Sequence, residues 1–240
     1  AWSWLGVGGR TAVLVALTVA SGAAGTWLAG RDLRVAGEAL TVVALGLLTL
    51  VLVGADNAGW LGDLSDAGLI TVVGGVLALV ALALCYTPAR LVSPQLVAPL
   101  GLGVAALGAN AVSSHDLVVA AAAVLAFAAL AALARRTGLD VLPWFAVFGG
   151  GISWLLLTAT AFGDLTGPVS FATVWPAPGW ALVLASAYLL LPVLADPSRT
   201  SRRVSEESAK FVTGQRDIIT VCAAAALSLL TLTLALPAFD

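Results

Sequence analysis

The chain has 240 residues, of which 60% are hydrophobic and only 10% charged, and its mean hydropathy is +1.05. Soluble domains carry about 25% charged and roughly 45–50% apolar residues, so a water-soluble enzyme and a disordered segment are excluded. The net charge of −2 offers no basic field to a nucleic acid. An integral membrane protein remains.

The chain begins at Ala1, contains no methionine and closes on Asp240 as a hydrophobic run finishes, which reads as a section of a longer or processed polypeptide. No signal-peptide pattern stands near Ala1. Lys210 is the only lysine beside ten arginines, a bias that fits a high-GC genome.

A hydrocarbon core of about 30 Å needs roughly 20 apolar residues at about 1.5 Å each. Charges are costly at mid-bilayer and so mark the limits of spans. In chain order the uncharged runs are Thr11–Leu28, Ala39–Ala55, Ala67–Thr87 and Gln95–Ser113, then Leu117–Ala134, Val141–Phe162, Trp180–Ala195 and Ile218–Phe239. The expectation is an all-α, polytopic bundle of eight spans forming a single transmembrane domain over residues 1–240. The runs are continuously apolar, whereas a β-barrel would alternate over about ten residues.

Within the fourth run, Pro99 among Gly101, Gly103 and Gly108 predicts a kink. The sixth carries Gly149, Gly150 and Gly151 at its centre, compatible either with close packing or with an interrupted, site-lining helix. The stretch Gly163–Gly179, with Pro168, Pro176 and Pro178, is expected to lie in the headgroup layer. In the link Asp196–Asp217, the pairs Arg202–Glu206, Arg203–Glu207 and Glu206–Lys210 favour a short helix.

Links after the odd spans hold ten basic residues: Arg31, Arg34, Arg90, Arg135, Arg136, Arg199, Arg202, Arg203, Lys210 and Arg216. The other side holds only Arg10. By the positive-inside rule the odd links are cytoplasmic and both termini extracytoplasmic, in a bacterial plasma membrane. Trp2, Trp4, Trp60, Trp175 and Trp180 then form an outer aromatic belt and Trp27 and Trp144 an inner one, while Trp154 is a mid-span packing residue.

Chemistry-bearing patterns are sparse. The span cores contain no ionisable side chain, which argues against an intramembrane proton relay. With one histidine there is no HExxH-type zinc site, and neither a phosphate loop nor a GxSxG elbow occurs. Cys85 and Cys222 read as small core residues. An outer polar cluster of Asp56, His115, Asp116 and Asp164, with Asn57, Asp63 and Asp66 along the same rim, could supply an acid/base pair or a cation site, or be a solvated rim. Asn110, Ser153 and Thr158 could line a cavity between spans four and six. No catalytic residue, metal ligand or cofactor is assigned.

The segment Arg31-Asp-Leu-Arg-Val-Ala-Gly-Glu38-Ala-Leu-Thr, then an apolar helix and Gly54-Ala-Asp-Asn-Ala-Gly-Trp60-Leu-Gly, resembles a recurring segment of large actinobacterial multi-span membrane proteins of unknown function. The likeness is firmest over Arg10–Ser65 and implies an array of helix pairs with Arg-rich inner links. The uneven spacing of those links does not support a strict internal repeat. The expected function is a scaffold or permease-like protein of the cell envelope, with a transferase acting on lipid-linked sugars at the outer face as the alternative. Its expected partners are membrane lipids and other membrane subunits or further helices of the same chain, and no nucleic acid.

Overall fold

A computed structural model describes residues 6–62 and 64–163. The expected spans seven and eight, the 196–217 link, Asp63, Asp164 and Cys222 lie outside the described residues. Six helices follow one another: α1 (Val7–Ala29), α2 (Arg34–Asn57), α3 (Asp66–Cys85), α4 (Val92–Val112), α5 (Asp116–Arg136) and α6 (Leu142–Gly163). No strand occurs among the described residues. Long runs of Ala and Leu favour this conformation intrinsically. In lipid, a helix also satisfies every mid-segment backbone group internally.

Five of the helices are long and apolar enough to cross a membrane: Gly8–Ala29, Arg34–Asn57, Asp66–Cys85, Val92–Val112 and Asp116–Ala134. They overrun the uncharged segments. Arg10, Arg34, Glu38, Asp56, Asp66, Asp116, Arg135 and Arg136 all sit inside helices, in or next to the end turns. A 24-residue helix such as α2 is about 36 Å long, so its terminal turns project beyond a hydrocarbon core of about 30 Å. The fourth helix runs unbroken through Pro99.

Two compact units divide the described chain: 6–115 with 129–149, and 116–128 with 150–163. In the first, α1 pairs with α2 and α3 with α4, while α2 touches α3 and α4 more sparsely. Its core holds Leu45, Ala81, Cys85, Ala98, Ala134 and Leu142. The outward faces are as apolar as this core: Val19 is 65%, Leu79 68% and Leu107 63% exposed. Such a surface suits lipid and is untenable for a helix bundle in water. In the second unit Val124, Phe127, Trp154 and Leu157 are buried.

Each helix pair of the first unit closes where two glycines meet. A Cβ on Gly74 would fall 2.6 Å from the carbonyl oxygen of Gly101, and one on Gly101 would fall 2.8 Å from that of Gly74. Gly25 and Gly37 repeat the arrangement between α1 and α2, a Cβ on Gly37 falling 2.8 Å from the Gly25 carbonyl oxygen. Small residues are what allow membrane helices to approach backbone to backbone, where dispersion and polar backbone contacts replace the hydrophobic drive.

Candidate functional site

The described acidic residues singled out from the sequence occupy helix ends. Asp56 is half-buried in the last turn of α2, and Asn57 beside it donates from Nδ2 to the Val53 carbonyl at 2.9 Å. Asp66 and Asp116 stand in the first turns of α3 and α5, where a carboxylate interacts favourably with the helix dipole. Ser65 caps α3, its Oγ accepting from the Gly68 N–H at 3.1 Å. His115 is exposed and keeps its hydrogen bonds local. Its Nδ1 lies 2.9 Å from Ser114 Oγ, and its N–H donates to Ser113 Oγ at 2.9 Å.

His115 and Asp116 adjoin through the chain, whereas Asp56 stands in the last turn of α2. Among the described residues no group of three or more His, Cys, Asp and Glu side chains could hold a metal ion. Asn110 is exposed in the last turn of α4, Ser153 is buried on α6, and Thr158 belongs to α6. Asn110 and Ser153 fall in different units.

The most organised polar chemistry lies instead at the opposite helix ends. The first four N–H groups of a helix lack internal partners, and burying them unpaired is costly. Leu91 at the α4 N-cap cannot satisfy them, and no side-chain cap forms there. Glu38 of α2 does so from another helix. Its Oε1 accepts from the Val92 N–H at 2.6 Å, and its Oε2 accepts from the Ser93 N–H at 2.8 Å and the Ser93 hydroxyl at 2.5 Å. Gln95 in turn caps α6, its Oε1 accepting from the Val141 and Leu142 N–H groups at 3.0 and 3.2 Å. The Gln95 side-chain amide is fixed by donating to the Leu91 carbonyl at 3.0 Å.

Side chains near the starts of α2 and α4 thus cap the starts of α4 and α6. These bonds bring the α1–α2, α3–α4 and α5–α6 links to one end of the first unit, and with them Arg31, Arg34 and Arg90. The links share a backbone device. Asp32 (φ 65°) and Arg90 (φ 43°) take the left-handed conformation immediately before the N-cap leucines Leu33 and Leu91.

Between the first two links opens a cleft of about 670 Å³, lined by Thr26, Ala29, Gly30, Asp32, Arg34, Thr87, Pro88 and Ala89. Arg34 Nη2 donates to the Arg90 carbonyl at 3.2 Å, joining one link to the other. Its Nε lies 4.0 Å from Glu38 Oε1, and the side chain remains 61% exposed. The Arg31 guanidinium stacks on Trp27 at 4.3 Å from the ring centroid.

No family model matches the chain, and no curated protein or solved structure is found to be similar to it. Its functional reading therefore rests on its own residues.

Proposed function

We propose that this chain is a non-catalytic helical scaffold of a bacterial plasma membrane, built like the helix-pair arrays of the actinobacterial proteins it resembles. In this reading it spans the bilayer eight times, with its Arg-bearing links in the cytoplasm and both termini outside. Its partners are membrane lipids and neighbouring membrane helices, of other subunits or of its own chain.

One observation carries the scaffold role: helix pairs closed backbone to backbone at Gly74–Gly101 and Gly25–Gly37. Packing this close, tied across helices by Glu38 and Gln95, supports a body that holds a fixed geometry. A permease has to hold a substrate between its helices, and interrupted helices typically form that site. Here α4 runs continuously through Pro99.

The test is solute flux through the purified protein in sealed liposomes, with a panel of ions, sugars and amino acids. A scaffold leaves every rate at that of protein-free vesicles. Saturable flux of any solute, abolished by Asn110→Ala or Ser153→Ala, would replace the scaffold by a permease.

A further inference from the structure

We propose that the cleft between the α1–α2 and α3–α4 links binds the headgroup of an aminophospholipid from the surrounding bilayer, one bearing a phosphate and a primary ammonium. This rests on the membrane reading above and adds a ligand to it.

The chemistry of the lining selects that headgroup. Thr26 Oγ1 donates its proton within its own helix, to the Gly22 and Ala23 carbonyls at 3.2 and 3.0 Å. Thr87 Oγ1 likewise donates to the Leu84 carbonyl at 2.7 Å. Each hydroxyl has a single proton, so toward the cleft both oxygens act as acceptors. Asp32 adds a carboxylate, which also only accepts. Against these three acceptors stands one cationic donor, Arg34, with N–H groups to spare beyond the one given to the Arg90 carbonyl.

A simple anion would meet one guanidinium and be repelled by Asp32. A simple cation would leave Arg34 opposing it. A ligand with a phosphate for Arg34 and an N–H-rich ammonium for Asp32 and the two threonines satisfies both charges. Guanidinium–phosphate pairing is strong because the planar fork can bond two oxygens at once.

Location points to a lipid as the source. The cleft lies where α1 and α3 end, and Trp27 and Tyr86, next in the chain to its lining residues Thr26 and Thr87, are 57% and 48% exposed. Aromatic side chains at this level are usual at the headgroup layer. α1, which lines the cleft through Thr26 and Ala29, packs on α2, and α3, which leads into the Thr87–Ala89 wall, packs on α4 rather than closely on α1. The exposed Val19 of α1 and Leu79 of α3 offer apolar surface to acyl chains. The cleft volume, about 670 Å³, lies within the roughly 300–1,000 Å³ of small-molecule sites.

The test uses the purified full chain in mixed micelles and native mass spectrometry. Phosphatidylethanolamine, phosphatidylcholine and phosphatidylglycerol of matched chains compete at equal concentration. The choline lipid keeps both charges but has no N–H donor, and the glycerol lipid keeps only the phosphate. Wild type should retain the ethanolamine lipid over each of the others by roughly tenfold, the scale of one charge-assisted hydrogen bond. Asp32→Asn, which tolerates the left-handed backbone, should reduce the preference over the choline lipid, because the charge-assisted bond becomes a neutral one while the two threonine acceptors remain. Arg34→Gln should lower retention of all three lipids, and Asp140→Asn, on a different link, should change nothing. Circular dichroism confirms that each variant remains helical.

Equal retention of the ethanolamine and choline lipids by wild type, or an unaltered preference in Asp32→Asn, overturns the proposal. Retention of soluble phosphorylethanolamine without retention of its lipid assigns the cleft to a soluble ligand and equally overturns it. Release of the chain from membranes by alkaline carbonate would show instead that the membrane reading has failed.

Discussion

Three donors converge on the Glu38 carboxylate, the Val92 and Ser93 N–H groups and the Ser93 hydroxyl, and that convergence sets the cost of losing it. Glu38→Ala leaves all three without their acceptor, at about 1–3 kcal/mol for each one that water cannot reach. Glu38→Gln keeps one acceptor oxygen and loses the charge, and Ser93→Ala removes only one donor. The thermal midpoint in detergent should therefore fall most for Glu38→Ala, less for Glu38→Gln and least for Ser93→Ala. Equal midpoints across the three would mean that α4 is capped by water. Arg34 contributes little to this order. Its guanidinium is largely exposed and 4.0 Å from Glu38, and such i,i+4 pairs contribute about 0.3–0.5 kcal/mol. Gln95→Ala removes the single side-chain oxygen serving the Val141 and Leu142 N–H groups. It should lower the midpoint by an amount matching a lost N-cap, about 1 kcal/mol, and speed hydrogen exchange of those two amides.

At the scale of the helix, Gly74 and Gly75 make a matched pair of tests. A Cβ on Gly74 would press on the Gly101 carbonyl and the Ala105 backbone, while one on Gly75 meets nothing within 4 Å. Gly74→Ala should destabilise the α3–α4 pair by about 1–3 kcal/mol, the usual cost of overpacking. Gly75→Ala should be neutral or stabilising by up to about 1 kcal/mol, since alanine is the better helix former. Thermal unfolding followed by circular dichroism distinguishes the two signs, and equal destabilisation by both would refute the backbone-to-backbone closure. The six helices themselves were legible because charges avoid mid-bilayer, so gaps between charges outline helices directly. Their ends were less so: Arg34 and Glu38 lie inside α2, because terminal turns reach the headgroups and tolerate charge there. The caps were not legible, since Glu38 meets Val92 from 54 positions away and no local spacing encodes that. A clue was present in Leu91 and Gln95: a helix opening on a poor N-cap, with a long polar side chain in its first turn. The acidic cluster follows from the outer span limits alone, and its Asp66 and Asp116 occupy helix first turns, where the dipole accounts for a carboxylate.

At the scale of the molecule, the caps relate three links of the described residues to one another. The bonds from Glu38 to α4 and from Gln95 to α6 place three alternate links, α1–α2, α3–α4 and α5–α6, at one end, as a serpentine path through a bilayer requires. That end carries Arg31, Arg34 and Arg90, while Ser113, Ser114 and His115 lie at the far end of α4. The proposed orientation puts the basic end in the cytoplasm, because positively charged loops resist translocation. Thiol labelling in whole cells tests it, with Cys85 and Cys222 first replaced by alanine to remove the native thiols. Ser114 is exposed in the α4–α5 connection and Asp140 in the α5–α6 link, so cysteines there should be reachable by reagent. Ser114→Cys should react with an impermeant maleimide in intact cells, and Asp140→Cys only after permeabilisation. The reverse pattern would invert the topology and move the lipid cleft to the outer leaflet. Labelling of both in intact cells would break the serpentine path itself, since the two positions flank α5, and α5 could then not separate two compartments.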